Sequence, residues 1–353
     1  MANRILIHLD GGIGDIIMGT PCVNALVKTG HEVDVYIRGD RYKPIELFRN
    51  WIGPRHVSSI REDFVENIYD FYLMGSWVWK PLELKNTSQT IIMHGHYTSA
   101  FANFGSQADL MLQYAKAIDP NVDLNMSSYC GQSNRIFSEI SKTTVVLFPG
   151  CKREYPMKRW DKFDALADQF TDVAVVGTKD DLWLGNSVSF PYVISQFLEE
   201  FLKYNGKLTR LALLFGKKYN HEQKFSKHVK NYIGQLSLAD TAALISQAGA
   251  FIGNDGGLSS VAGALKISTY VLSGPTDPLY WNIKGSPINN ITKNLDCQPC
   301  VHWGCKYPRA WKSNYIGCPI GMKCMTSLTV DDVLTAVNRS PSFLNRGLGR
   351  VKG

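Results

Sequence analysis

Short apolar runs alternate with longer amphipathic stretches along most of this chain, the pattern of strands alternating with helices in an α/β protein. Ile5-Leu6-Ile7-His8-Leu9 reads as a buried strand. The stretch from Ile16 to Lys28 reads as a helix closed by Thr29-Gly30, and Glu32 to Ile37 as the next strand. This is a βαβ unit. Mid-chain the pattern returns. Thr143 to Phe148 predicts a strand, and a helix with Phe163, Leu166, Ala167 and Phe170 on one face follows. Asp172 to Gly177 predicts another strand. Near residue 250 it returns again: Ala248 to Gly253 reads as a strand and Ser259 to Leu265 as a helix of small side chains.

The polar residues at these strand ends carry the chemistry. Asn254-Asp255-Gly256-Gly257-Leu258 stands at one strand-to-helix switch, where open α/β sheets bind ligands. Glycines there let a phosphate or sugar approach the free N–H groups of a helix start. An ordinary βα turn is the plainer reading of the segment taken alone. Asp10-Gly11-Gly12-Ile13-Gly14-Asp15 stands at the first switch. It is neither a dinucleotide fingerprint, since the third glycine position falls on Ile17, nor a P-loop. Asp15 falls at the helix start, where the dipole favours an ionised carboxylate able to accept a proton. At the third switch, Pro149-Gly150 leads into the basic loop from Cys151 to Trp160, whose cations suit a diphosphate.

Together these residues resemble glycosyltransferase family 9, which includes the ADP-heptose–lipopolysaccharide heptosyltransferases. The resemblance rests on Gly11 to Asp15, Pro149-Gly150 with Lys158-Arg159-Trp160, and Gly253-Asn254-Asp255 with Gly257. Gly234 with Ser237-Leu238, and Gly274-Pro275-Thr276-Asp277-Pro278, extend it over roughly residues 4 to 335. It implies a GT-B fold, two doubly wound Rossmann-like domains facing across a cleft. Residues 1–135 would form the acceptor-side domain and 136–335 the nucleotide-sugar domain, leaving a basic tail at 336–353. The polar stretch from Cys130 to Asn134 suits the junction.

The resemblance also implies roles. Asp15 would be the catalytic base and Lys158 would stabilise the leaving diphosphate. Gly12, Gly14, Gly150, Arg159, Asp255, Gly256, Gly257, Leu258 and Ser260 would bind the donor, expected to be ADP-heptose, and no catalytic metal would be needed. The acceptor would be a lipopolysaccharide-like glycan or a protein. A phage-type enzyme acting on DNA or a small molecule, or a non-catalytic nucleotide-sugar binder, are the alternatives. Ser260 stands where heptosyltransferases usually carry histidine, and residues 179 to 230 run longer than the family pattern.

Five of eight cysteines cluster late: Cys297, Cys300, Cys305, Cys318 and Cys324. Cys-x2-Cys has the bite of a metal knuckle, with free structural thiols as the alternative. Cys297, Cys300, Cys318 and Cys324 resemble the four-cysteine iron finger of autotransporter heptosyltransferases, with Cys305 spare. Composition alone favours zinc; the resemblance favours iron.

Composition changes little else. The chain has 353 residues, 44% hydrophobic and 20% charged, enough for two cores. A net charge of +7 favours anionic substrates without marking a nucleic-acid binder. With no leader-like start and no long apolar run, a cytoplasmic protein without stable membrane insertion is expected. The His94-Gly95-His96-Tyr97 stretch could line the acceptor side, and Trp77 and Trp79, on one strand face, could stack on a sugar, core packing being the commoner fate of such tryptophans.

Overall fold

The structure is a computed structural model. It describes residues 2–38, 43–75, 78, 80–92, 105–151, 158–182, 222–279, 283–299 and 322–339. Trp77, Trp79, His94 to Tyr97, the loop 152–157, most of the long 179–230 stretch, Cys300, Cys305, Cys318 and the tail beyond 339 lie outside the described residues.

The first half builds β1 (Arg4–Leu9), α1 (Ile13–Lys28), β2 (Glu32–Ile37), β3 (His56–Ser58), α2 (Glu62–Val65), β4 (Ile68–Met74), β5 (Asn86–Ile92) and α3 (Gln107–Ile118). Its five strands lie in the order β3-β2-β1-β4-β5, all parallel. The second half builds β6 (Val145–Phe148), α4 (Phe163–Ala167), β7 (Val173–Val175), β8 (Lys230–Asn231), α5 (Leu238–Gln247), β9 (Ala250–Asn254), α6 (Gly257–Ala264), β10 (Ser268–Leu272), β11 (Ile288–Ile291), α7 (Lys323–Thr326) and α8 (Val330–Asn338). These six strands run in the order β11-β10-β9-β6-β7-β8, again all parallel.

Parallel strands must be covered on both faces, which is why they read as continuous apolar runs. On β1, Ile5, Ile7 and Leu9 face α1 and α3, while Leu6 packs on the opposite face with Tyr36, Phe64, Tyr69 and Tyr72. His8 shares that second face, with its Nδ1 2.8 Å from the Tyr72 hydroxyl. Burial pushes its pKa down to about 4, so the ring is neutral at physiological pH. Asp34 is also buried there. It accepts hydrogen bonds from Arg55 and from the Tyr69 hydroxyl (2.8 Å), the partners a buried carboxylate needs.

The helix at Phe163 is shorter than the apolar stripe suggests, ending at Ala167. All four stripe residues, Phe163, Leu166, Ala167 and Phe170, are nonetheless fully buried. The main apolar cluster is not confined to one half. It joins Ile5, Ile17 and Met111 of the first sheet's layer to Val146, Phe251, Val261 and Leu244 of the second's. The stretch 130–134 is fastened to both halves: Gly131 N–H donates to the Leu47 carbonyl, and Ser133 Oγ donates to Asp240.

Candidate functional site

The carboxyl ends of β1, β6, β7 and β9 converge, and each sequence-predicted loop lies at one of them. Gly11 takes a positive φ of 103°, where a side chain would be strained and would also strike the Asp15 carboxylate. Gly12 caps α1, and its N–H donates to Asp15 Oδ2 at 2.7 Å. That bond fixes the half-buried Asp15 carboxylate at the helix start. Asp10 is differently engaged: Gly11 N–H and Arg38 donate to its two oxygens at 2.7 and 2.9 Å.

The start of α6 meets the start of α1. A Cβ at Gly257 would lie 3.0 Å from Ile13, and one at Gly14 would lie 2.8 Å from Ser260 Oγ. Glycine at both positions is what lets the two helix starts touch. Gly256 caps α6 without a side-chain bond, so the helix presents backbone N–H groups and its positive dipole end. Just before it, Asn254 is fully buried. Its side chain donates to the Pro149 carbonyl (2.7 Å) and accepts from Trp160 N–H (3.1 Å), locking the β6 and β9 loops together. Lys158 Nζ donates to Asp255 Oδ2 at 2.7 Å, and Thr276 Oγ1 donates to the same oxygen.

Arg159 is placed differently from its neighbour. Its guanidinium is buried, donating to the Asp180 carbonyl at 3.1 Å and lying 3.7 Å from Asp181 Oδ1. Asp181 in turn accepts from the Thr178 N–H and hydroxyl at 2.7 and 2.9 Å. Burial raises its pKa, against the opposing pull of those bonds and of Arg159. Gly150 sits directly on Asp181, where a Cβ would collide with the carboxylate.

These elements enclose a cavity of about 480 Å³, within the size range of small-molecule sites. Gly11, Gly12 and Ile13 face it from one side, and Phe148, Gly257 and Leu258 from the other. Asp181, Thr178 and Leu238 extend that wall, and Lys43 and Glu46 approach from the first half. Of the predicted residues, Gly12, Gly257 and Leu258 line this cavity directly. Asp181 was not among the expected residues, although an acidic residue soon after the second strand of such a unit is a known signal for a ribose contact. Cys151 also lines it, but burial pushes its thiol up to about 11, which leaves it protonated.

Known proteins share parts of this arrangement. Residues 212–310 match the family model described as glycosyltransferase family 9 (heptosyltransferase). A solved structure of ADP-heptose LPS heptosyltransferase II from E. coli aligns over 97% of this chain and 99% of its own, with TM-score 0.62 and 16% identity. The chain shares the fold of that enzyme. A family 9 glycosyltransferase from Veillonella parvula aligns over 97% of both chains, with TM-score 0.61 and 14% identity. The iron-containing dodecameric glycosyltransferase TibC of enterotoxigenic E. coli aligns over 96% of this chain and 76% of its own, with TM-score 0.58 and 14% identity. In sequence, lipopolysaccharide heptosyltransferase 1 of Pseudomonas aeruginosa is 34% identical over 73 residues, 21% of this chain and 21% of that protein. The family 9 resemblance and the two-domain GT-B architecture read from the motifs are thus borne out.

Proposed function

We propose that this protein is an inverting family 9 glycosyltransferase that moves heptose from ADP-heptose to a hydroxyl group of a glycan or protein acceptor. The observation that carries the reading is the cavity where two glycine-bearing helix starts meet, with the Asp15 carboxylate fixed at one of them. The α6 start and Lys158 offer backbone N–H groups and a cation to the diphosphate, stabilising charge that grows as it leaves. Asp181, buried and lining the cavity, suits a ribose hydroxyl donating to it. Asp15 accepts the proton of the attacking acceptor hydroxyl. With cations and a helix start serving the leaving group, the chemistry does not call for a catalytic metal. The ADP-heptose assignment is supported by TibC, whose solved complex contains ADP-D-β-D-heptose. Calorimetry with ADP-heptose, followed by an ADP-release assay with lipopolysaccharide core and autotransporter-type protein acceptors, tests the reading. Saturable binding and acceptor-dependent ADP release are expected; absence of both would end it.

The cysteine finger belongs to the same proposal. Among the described residues no group of three or more His, Cys, Asp or Glu side chains is arranged to hold a metal ion. Two of the four expected ligands, Cys300 and Cys318, lie outside those residues. The other two approach one loop. Gln298, next to Cys297, donates to the Gly274 carbonyl at 2.6 Å, and Cys324 Sγ lies 3.5 Å from where a Gly274 Cβ would stand. That convergence fits a structural iron or zinc held by Cys297, Cys300, Cys318 and Cys324. Elemental analysis of protein purified without chelator should find about one metal per chain, as a closed four-thiolate site requires. A value near zero would leave the cysteines as thiols. The Cys300→Ser variant should lose the metal while Cys305→Ser keeps it.

Among the described residues, no helix is long and apolar enough to cross a membrane. A cytoplasmic location remains part of this proposal.

A further inference from the structure

The cavity wall can be followed residue by residue away from the helix starts. A Cβ at Gly256 would meet Phe148 and Cys151; one at Gly150, which follows Phe148 by two residues, would strike Asp181; one at Gly177 would meet Asp181 and Ile233. Beyond Ile233 come Leu236, Ser237, Leu238 and Thr241, at and inside the start of α5, all lining the same cavity. If a diphosphate lies at the α6 start and a ribose at Asp181, the base must lie against the Leu236 to Thr241 wall. That wall is half apolar and suits a flat ring. Its polar groups on this side are hydroxyls, which donate and accept alike and so discriminate weakly between bases.

The opposite side of that end comes from the other half of the molecule. A short 3-10 turn, Pro44–Leu47, packs on α5 and brings Lys43 and Glu46 to the cavity. Lys43 holds a left-handed backbone (φ 48°), a conformation that costs a side-chain-bearing residue and concentrates at functional sites. Glu46 is half-buried, and no hydrogen bond or ion pair with another described residue occupies either side chain. A carboxylate only accepts hydrogen bonds, whereas an ammonium only donates them. Adenine, for example, offers an N–H2 group beside a ring nitrogen acceptor. Uracil offers a single N–H flanked by two carbonyl oxygens that repel a carboxylate.

We propose that Glu46, assisted by Lys43, reads the base of the donor nucleotide from across the domain junction and selects a base with an exocyclic amine. The inference rests on the reading of this cavity as a nucleoside diphosphate site. Glu46 is then a specificity-determining residue, accepting a hydrogen bond from the amine, and Lys43 donates to the neighbouring ring nitrogen.

The test compares ADP with purine riboside 5′-diphosphate, which differs only in lacking the amine, by calorimetry on the full chain. The wild-type protein should bind ADP at least about tenfold more tightly, the factor given by about 1.4 kcal/mol. Glu46→Ala should bring ADP to the affinity of the analogue and leave the analogue unchanged. UDP should bind the wild type no better than the analogue does. Equal binding of ADP and the analogue by wild type overturns the inference while leaving the nucleotide site standing. So does a preference that survives in Glu46→Ala. Failure of every nucleoside diphosphate to bind overturns both this inference and the reading of the cavity. The wild-type comparison can overturn the inference without the variant, so a poorly folding variant does not protect the idea.

Discussion

Asp15→Asn should reduce sugar transfer by about 10²- to 10⁴-fold while leaving affinity for ADP-heptose nearly unchanged. The substitution is close to a pure removal of charge. The Gly12 N–H donates to Asp15 Oδ2 at 2.7 Å, and the amide oxygen of asparagine can take that bond over, so the α1 start keeps its shape. What is lost is the ability to take a proton from the attacking hydroxyl. Single-turnover transfer and donor calorimetry on the same preparation check both halves of the expectation. Turnover within a few-fold of wild type would remove Asp15 as the base.

The second large effect concerns Lys158 and Asp255, which form an ion pair with Nζ and Oδ2 2.7 Å apart and with both side chains mostly buried. A diphosphate arriving at the α6 start competes for, or shares, the Lys158 ammonium. Lys158→Ala should therefore weaken ADP-heptose binding by about 1.5–3 kcal/mol, the range for a hydrogen bond to a charged group, and slow departure of the diphosphate. Asp255→Ala should also impair binding or turnover. It removes the acceptor that holds both Lys158 and Thr276, so the cation loses its position even though it keeps its charge. Unchanged donor affinity and unchanged turnover in both variants would refute this placement.

The parts of the fold visible in the sequence were those that one stretch of chain determines. A strand buried on both faces has to be apolar throughout, so β1, β6 and β9 stand out, and the glycines that open α1 and α6 mark where those strands end. The meeting of α1 with α6 is a different matter. Nothing near Gly14 says that it abuts Ser260, some 246 positions later, yet that contact makes one cavity out of two loops. Arg159 shows the same limit. Its neighbour Lys158 reaches Asp255, but its own charge is taken by the Asp180 carbonyl and Asp181, a pairing set by the docking of β6 against β7. Lys43 and Glu46 sit in a short turn without periodicity, and only the packing of that turn on α5 brings them to the cavity.

The apolar cluster that runs through both sheets has a consequence for how the molecule comes apart. Ile17 and Met111 share it with Phe251 and Val261, so detaching either half would expose a face of the other's interior to water. Denaturation should then proceed as a single cooperative event, with one transition by fluorescence and by circular dichroism, rather than domain by domain. A fragment ending near the junction would carry a large uncovered apolar surface, the condition under which chains self-associate.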